Sequence, residues 1–297
     1  MSDSATDQRQ DEAKAAILSL FDSQNLKVAY DREIRYRLES QFPHDVTGKA
    51  IRQLERDGDI ARTGLPGRRG SADLPIQFYK RSQSNYNDLI PVIRKKLELS
   101  AFIIGVANEM GRHAESAWWR AFKRNNWVLY PASEDIPLGI HQYQDRRAST
   151  DHDIDFIAEK DGIRYGVEVK NGLNYPDDLY WKFSVAVELG TIPLIIARWL
   201  NPGQVPEIRA LGGSGPILYK DAMYSTTYNL MITDIRETLG APIQARDEVA
   251  DEYFARKIDP VHKATQTQLE TKSSQLRDFI LKKRLDPRTR RTLGDRR

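Results

Sequence analysis

A chain of 297 residues, 40% of them hydrophobic, can bury one sizeable core and still carry a second, smaller domain. It contains no cysteine, which excludes disulfides, thiolate zinc sites, iron–sulfur ligation and cysteine nucleophiles and fits a reducing, cytoplasmic setting. The net charge of +3 is too small to name a partner, and no apolar run approaches the ~20 residues that cross a bilayer, so no membrane association is expected.

Residues 1–11 are polar and acidic and read as a disordered lead rather than a signal peptide. Residues 12–85 read as three helices and two strands. Ala13, Ile17, Leu20 and Phe21 recur at helical spacing, as do Ile34 and Leu38 after Asp31, and then Val46, Ala50, Ile51 and Leu54. Gly58 ends the third helix. Asp59–Thr63 and Pro75–Tyr79 can then pair as strands around the Gly/Pro/Arg-rich loop 64–70. Three helices followed by a two-stranded wing resemble a winged helix-turn-helix domain. On the third helix Lys49, Arg52, Gln53 and Arg56 share the face away from the apolar stripe. In a winged helix such a face, with Arg68 and Arg69 on the wing, fits the base edges and phosphates of DNA. It also fits a solvated surface or a protein-docking module.

The polar stretch 82–88 suggests a boundary near residue 85. A helix over 89–110, weakened at Gly105, and a second over 112–124 precede a short strand after Trp127 and an irregular stretch, 131–150. The segment from Asp153 to Lys170 then alternates polar and apolar residues on both sides of Asp161-Gly162, a two-residue hairpin signal. Counting outward from Lys160 and Ile163 sets Asp155 opposite Glu168 and Asp153 opposite Lys170, with directly paired Cβ atoms about 5 Å apart. Ile154, Phe156, Val167 and Val169 take the other face. Carboxylates this close repel unless a hard cation sits between them, and Mg²⁺ accepts one or two carboxylates while keeping several waters. A Lys beside them can orient or deprotonate a water, or stabilise charge on a phosphate. The same letters, Val-Glu-Val-Lys, also describe an ordinary half-exposed strand.

Asp155 followed by Glu168-Val169-Lys170 resembles the PD-(D/E)xK motif of the restriction-endonuclease-like nucleases. The wording Asp-Ile-Asp-Phe-Ile-Ala-Glu and Val-Glu-Val-Lys-Asn is similar to the Holliday-junction-resolvase and type IV restriction branch. Ile154 stands where a proline often precedes the first aspartate. The resemblance covers about residues 110–240 and implies an α/β fold with a mixed sheet flanked by helices, in a domain placed at 86–240; residues 241–297 read as a helical extension whose tail from Arg277 is basic by composition, polyanion-seeking or simply solvated. It implies catalytic roles for Asp155, Glu168 and Lys170, and for Glu115 on the preceding helix, with Mg²⁺ (or Mn²⁺ in its place) held by Asp155, Glu168 and the Val169 carbonyl. It further implies a helix near 178–189 and a strand over Ile192–Ala197. The implied activity is cleavage of DNA to leave 5′-phosphates, by a homodimer where both strands are cut. A restriction or defence endonuclease, a structure-specific junction nuclease and a non-catalytic DNA-binding regulator stay open; the intact acidic pair and Lys170 favour an enzyme, and the N-terminal reader favours the first. Lys182 on the following helix reads as a solvated residue, and His113, His141 and His152 lack zinc-site spacing.

Overall fold

A computed structural model describes residues 3–22, 26–64, 77–82, 84–85, 87–130, 141–145, 150–172, 182–183, 185–186, 189–200, 203–210 and 212–285, with only the backbone at 3–7, 141–145, 150–153, 277 and 279–285. The chain is an α/β protein with mixed sheets and divides into two compact units, residues 1–107 with 228–243 and residues 108–227 with 244–297. This division differs from boundaries at 85 and 240. No helix among the described residues is long and apolar enough to cross a membrane.

In the first unit α1 (Asp3–Asp22), α2 (Asp31–Leu38) and α3 (His44–Asp57) pack through Ala13, Ile17, Leu20, Ile34, Leu38, Ala50, Ile51 and Leu54. The first helix starts inside the segment expected to be a disordered lead, because Ala5, Gln8, Arg9 and Gln10 are good helix formers and neither Gly nor Pro interrupts them. Gly58 closes α3 at φ +81°, the left-handed conformation a residue with a Cβ resists, and its N–H donates to the Glu55 carbonyl. A three-stranded antiparallel sheet follows, with β1 (Ala29–Tyr30) and β2 (Ile60–Thr63) on either side of β3 (Phe78–Arg81). The last of these lies three residues later than the expected Pro75–Tyr79, of which Pro75 and Ile76 fall outside the described residues.

The helix α4 (Ile90–Gly105) belongs to this unit because Lys96, 2% exposed, donates to the Val28 carbonyl at 2.7 Å and to Glu33 Oε2 at 2.5 Å. The helix Asn229–Leu239 joins it through the Lys95–Asp234 ion pair at 2.5 Å and the Arg37 guanidinium on the Thr238 carbonyl. The helical run breaks at Val106 (φ −102°), not at residue 111. Gly105 weakens the chain there, whereas Gly111 continues a helix whose Met110 and Ala114 are buried beside it.

In the second unit α5 (Ala107–Arg124) leads into β4 (Val128–Tyr130). The strands β5 (His141–Asp145) and β6 (Thr150–Ile154) pair antiparallel with each other. A five-stranded sheet contains β7 (Phe156–Lys160), β8 (Ile163–Lys170), β9 (Ile192–Ala197) and β10 (Ile217–Leu218) in the order β10-β9-β8-β7-β4. The three strands β8, β9 and β10 are parallel and the β4 side is antiparallel. Phe156, Tyr165, Val167 and Leu194 meet Ala117, Trp118 and Phe122 of α5, and also Phe254 and Ile258 of the helix Asp251–Thr267 and Leu276 of Leu269–Leu285. Residues 251–276, expected to extend from the sheet domain, are part of its main core.

Candidate active site on the central hairpin

The hairpin that carries the site forms as its sequence dictates. Asp161 and Gly162 both take positive φ, 52° and 76°, and Lys160 pairs with Ile163. Regular pairing runs as far as Phe156 opposite Val167, and there it changes. Asp155 donates its N–H to the Val167 carbonyl at 3.1 Å, while its Oδ2 accepts the Val169 N–H at 2.5 Å. Its side chain thus satisfies an amide that would otherwise seek a strand partner. The chain kinks at this point, and β6 leaves to pair with β5, setting Asp153 opposite Gln142. The expected Asp153–Lys170 pair is therefore not formed. Ile154 is carried to the opposite side from Phe156, into a cluster with Ile157, Val185 and Ala186.

Glu168 is 1% exposed. Lys170 Nζ lies 2.6 Å from its Oε1 and Lys182 Nζ 3.2 Å from its Oε2. The second contact is electrostatic and lacks hydrogen-bond alignment, so Oε2 is buried without a hydrogen-bond donor among the described residues. Burial first, and then the charges of Glu168 and Glu115, hold the Asp155 carboxyl well above the ordinary carboxylate range; the Val169 amide and the Lys182 ammonium pull the other way. The four expected catalytic residues thus belong to one neighbourhood, with Glu115 reaching it from α5.

Lys170 turns its carbonyl to the Arg198 N–H at 2.9 Å. Alternation along β8 then turns the N–H and carbonyl of Val169 to the Asp155 side. Among the described residues no three His, Asp or Glu side chains are already gathered around a metal-sized point. A Mg²⁺ site does not need such a cage, because two carboxylates, a carbonyl and waters suffice. The orphaned Glu168 Oε2 and the mutual repulsion that acts on Asp155 fit a cation at this place.

Two contributors escaped sequence reasoning. Lys182 is 8% exposed, not solvated, and the sign of this in the sequence is a Lys set directly between Trp181 and Phe183 in a largely apolar stretch. Asn171 locks the turn after β8, donating to the Met110 and Met223 carbonyls at 3.0 and 2.7 Å and accepting from the Met223 N–H and the Tyr219 hydroxyl. His113 sits 2.9 Å from the Arg246 carbonyl, and the side chains of His141 and His152 lie outside the described residues.

In the first unit Lys49, Arg52 and Arg56 are exposed along α3, while Gln53 is half-buried and bonded to Asp57 and Arg56. A groove of about 670 Å³ is lined by Gln10, Lys49, Arg52, Glu55, Arg56 and Arg62, the last paired with Glu55 at 2.5 Å. Arg62 was legible as an outward residue of an alternating strand. Arg68 and Arg69 lie outside the described residues. No family model, curated protein or solved structure matches the chain.

Proposed function

We propose that the chain is a Mg²⁺-dependent DNA endonuclease of the restriction or defence type, with a restriction-endonuclease-like catalytic domain and an N-terminal winged-helix reader. The observation that carries this reading is a buried Glu168 bracketed by two lysines, with Asp155 docked on the amide of the very next residue. Acidic charge gathered and buried this way, with one Glu168 oxygen left without a hydrogen bond, is the mark of a site with a task. The sheet order, an antiparallel hairpin continued by parallel strands, supports the same fold reading.

In this mechanism Asp155, Glu168 and the Val169 carbonyl would hold the cation. Mg²⁺ bound there would polarise a phosphodiester and lower the pKa of a coordinated water. Asp155 is kept in position by the Val169 N–H. Lys170, held 2.6 Å from Glu168 Oε1, would orient the attacking water and offset the charge developing on the phosphate. Glu115 adds a third carboxylate within electrostatic reach of Asp155. The α3 face of Lys49, Arg52, Gln53 and Arg56 would select the DNA, and two copies of the chain would cut both strands.

The test is incubation of purified protein with methylated plasmid, unmethylated plasmid and a synthetic four-way junction, in Mg²⁺ or EDTA, beside Lys170→Ala and Asp155→Ala. Discrete Mg²⁺-dependent fragments of duplex DNA, reduced at least about a hundredfold in both variants, are expected. Symmetric cuts in the junction alone would instead make it a structure-specific nuclease. DNA binding without cleavage of any substrate would leave a regulator.

A further inference from the structure

Near the carboxyl end of β10, three cations converge on one aromatic ring. The Arg246 and Arg256 guanidinium carbons lie 5.9 and 5.4 Å from the centroid of Tyr253, and Lys257 Nζ lies 5.7 Å from it. Like charges held on one ring repel one another, and a lasting arrangement needs something to offset that. Ring faces supply part of that. Carboxylates do not supply the rest, because none of the three cations has an ion-pair partner among the described residues, and Arg246 Nε is buried with no hydrogen-bond acceptor. The acidic side chains nearby are engaged or peripheral. Asp247 is held by the Thr226 N–H and hydroxyl, Asp251 is bound by Arg124 and Asn125, and Asp221 acts only weakly, on the Tyr253 hydroxyl.

The cluster is also anchored beside the candidate active site. The Tyr253 hydroxyl reaches the carbonyl of Leu218, the last residue of β10, at 3.5 Å. The next residue, Tyr219, shares its one hydroxyl proton between the Asn171 side-chain oxygen at 2.9 Å and the Lys170 carbonyl at 3.2 Å, and feels the charges of both Arg246 and Asp155. One tyrosine thus links the strand that bears the catalytic lysine to the edge of the cationic cluster. We propose that Arg246, Arg256 and Lys257, arrayed on Tyr253, form a clamp for consecutive backbone phosphates of the nucleic-acid strand that runs to the acidic site. This rests on the nuclease reading and adds to it a sequence-independent contact in the catalytic unit, distinct from the α3 face. The flat guanidiniums match phosphate oxygens, and the ring preorganises them so that little side-chain entropy is lost on binding.

The experiment is fluorescence anisotropy of the full chain with labelled duplexes of several unrelated sequences, in EDTA, over a range of salt concentrations. Arg256→Gln/Lys257→Gln is compared with wild type, with Arg256→Lys/Lys257→Arg and with Arg52→Ala/Arg56→Ala. Both clamp positions are at least partly exposed, so the substitutions leave the core untouched. The Gln pair is expected to weaken binding about tenfold for every sequence and to lower the salt slope by about 2, one phosphate contact per residue. The charge-preserving pair should bind as wild type. Unchanged affinity and slope in the Gln pair, with binding lost in the α3 variant, would overturn the clamp and leave the nuclease reading intact. A wild type that binds no duplex at all would overturn both.

Discussion

Two lysines on one buried glutamate create an asymmetry that can be measured at single residues. Glu168 keeps the Lys170 contact when Lys182 is replaced by Met, but its buried Oε2 then loses the ammonium beside it. Removing one partner of a buried ion pair costs ~3–5 kcal/mol when nothing remains to compensate. With Lys170 still in place, Lys182→Met should cost about 2 kcal/mol in EDTA, and a saturating divalent cation should recover more of the melting temperature in the variant than in wild type. Equal recovery in both would mean that the lysine and the cation do not share Glu168. The protonation of Asp155 has a defined sign as well. Its carboxyl is held above the ordinary value of 3.8, by burial first and then by Glu168 and Glu115, so the native state keeps a proton that the unfolded chain has already released. The native protein binds more protons across that interval, and its stability falls as pH rises from 3.8 through the raised folded value. Urea unfolding in EDTA should register this decline in wild type and a flatter profile in Asp155→Asn.

The hairpin and its neighbours act as elements through close packing at Gly166. A Cβ there would stand 2.6 Å from Thr191 Oγ1 and 2.8 Å from Ala186 Cβ, in the seam between β8 and the helical residues 185–186. Thr191 is itself fixed by donating to the Ala186 carbonyl at 2.6 Å, so neither neighbour can yield alone. Gly166→Ala should cost ~1–3 kcal/mol by overpacking and, because Glu168 lies two residues further along the same face, should lower cleavage as well. A urea midpoint equal to wild type would show that the seam relaxes freely. The hairpin itself was legible in the sequence, since period-two alternation and an Asp-Gly turn each pointed to one register, and the register from Lys160 to Phe156 is the expected one. The strand Ile192–Ala197 was expected on the family resemblance rather than from its own pattern, and it forms over those residues. The kink at Asp155 was not, because counting outward assumes an unbroken ladder. It arises where a side-chain oxygen replaces a strand partner for the Val169 amide, a choice made by three-dimensional proximity. The depth of Lys182 escaped for a related reason, since a lysine in sequence looks solvated until its helix has a sheet beneath it.

At the scale of the molecule, sequence order misleads about which segments fold together. Residues 86–107 follow the polar break yet belong to the first unit, held by the buried Lys96–Glu33 pair, in which burial lowers the lysine's pKa and the glutamate opposes that shift. Lys96→Met would strand the fully buried Glu33 with Arg37 as its remaining ion-pair partner, at a cost of ~3–5 kcal/mol, whereas Lys96→Met/Glu33→Leu should regain most of that stability in thermal melts. The C-terminal helices carry the larger consequence. Phe254, Ile258 and Leu276 are each at most 3% exposed in the main core, and His262 joins the Tyr165 hydroxyl to the Asp161 carboxylate of the hairpin turn at 2.8 and 3.0 Å. Burying three such apolar side chains contributes ~5–9 kcal/mol at 1.5–3 kcal/mol each. That is comparable with the entire stability of a typical domain, 5–15 kcal/mol. A chain ending at Ala250 should therefore fail to give a cooperatively folded sheet unit, with loss of the near-ultraviolet dichroism contributed by Trp118 and Trp127. Retention of that signal and of a cooperative urea transition would mean that these helices extend from a sheet domain that is stable without them.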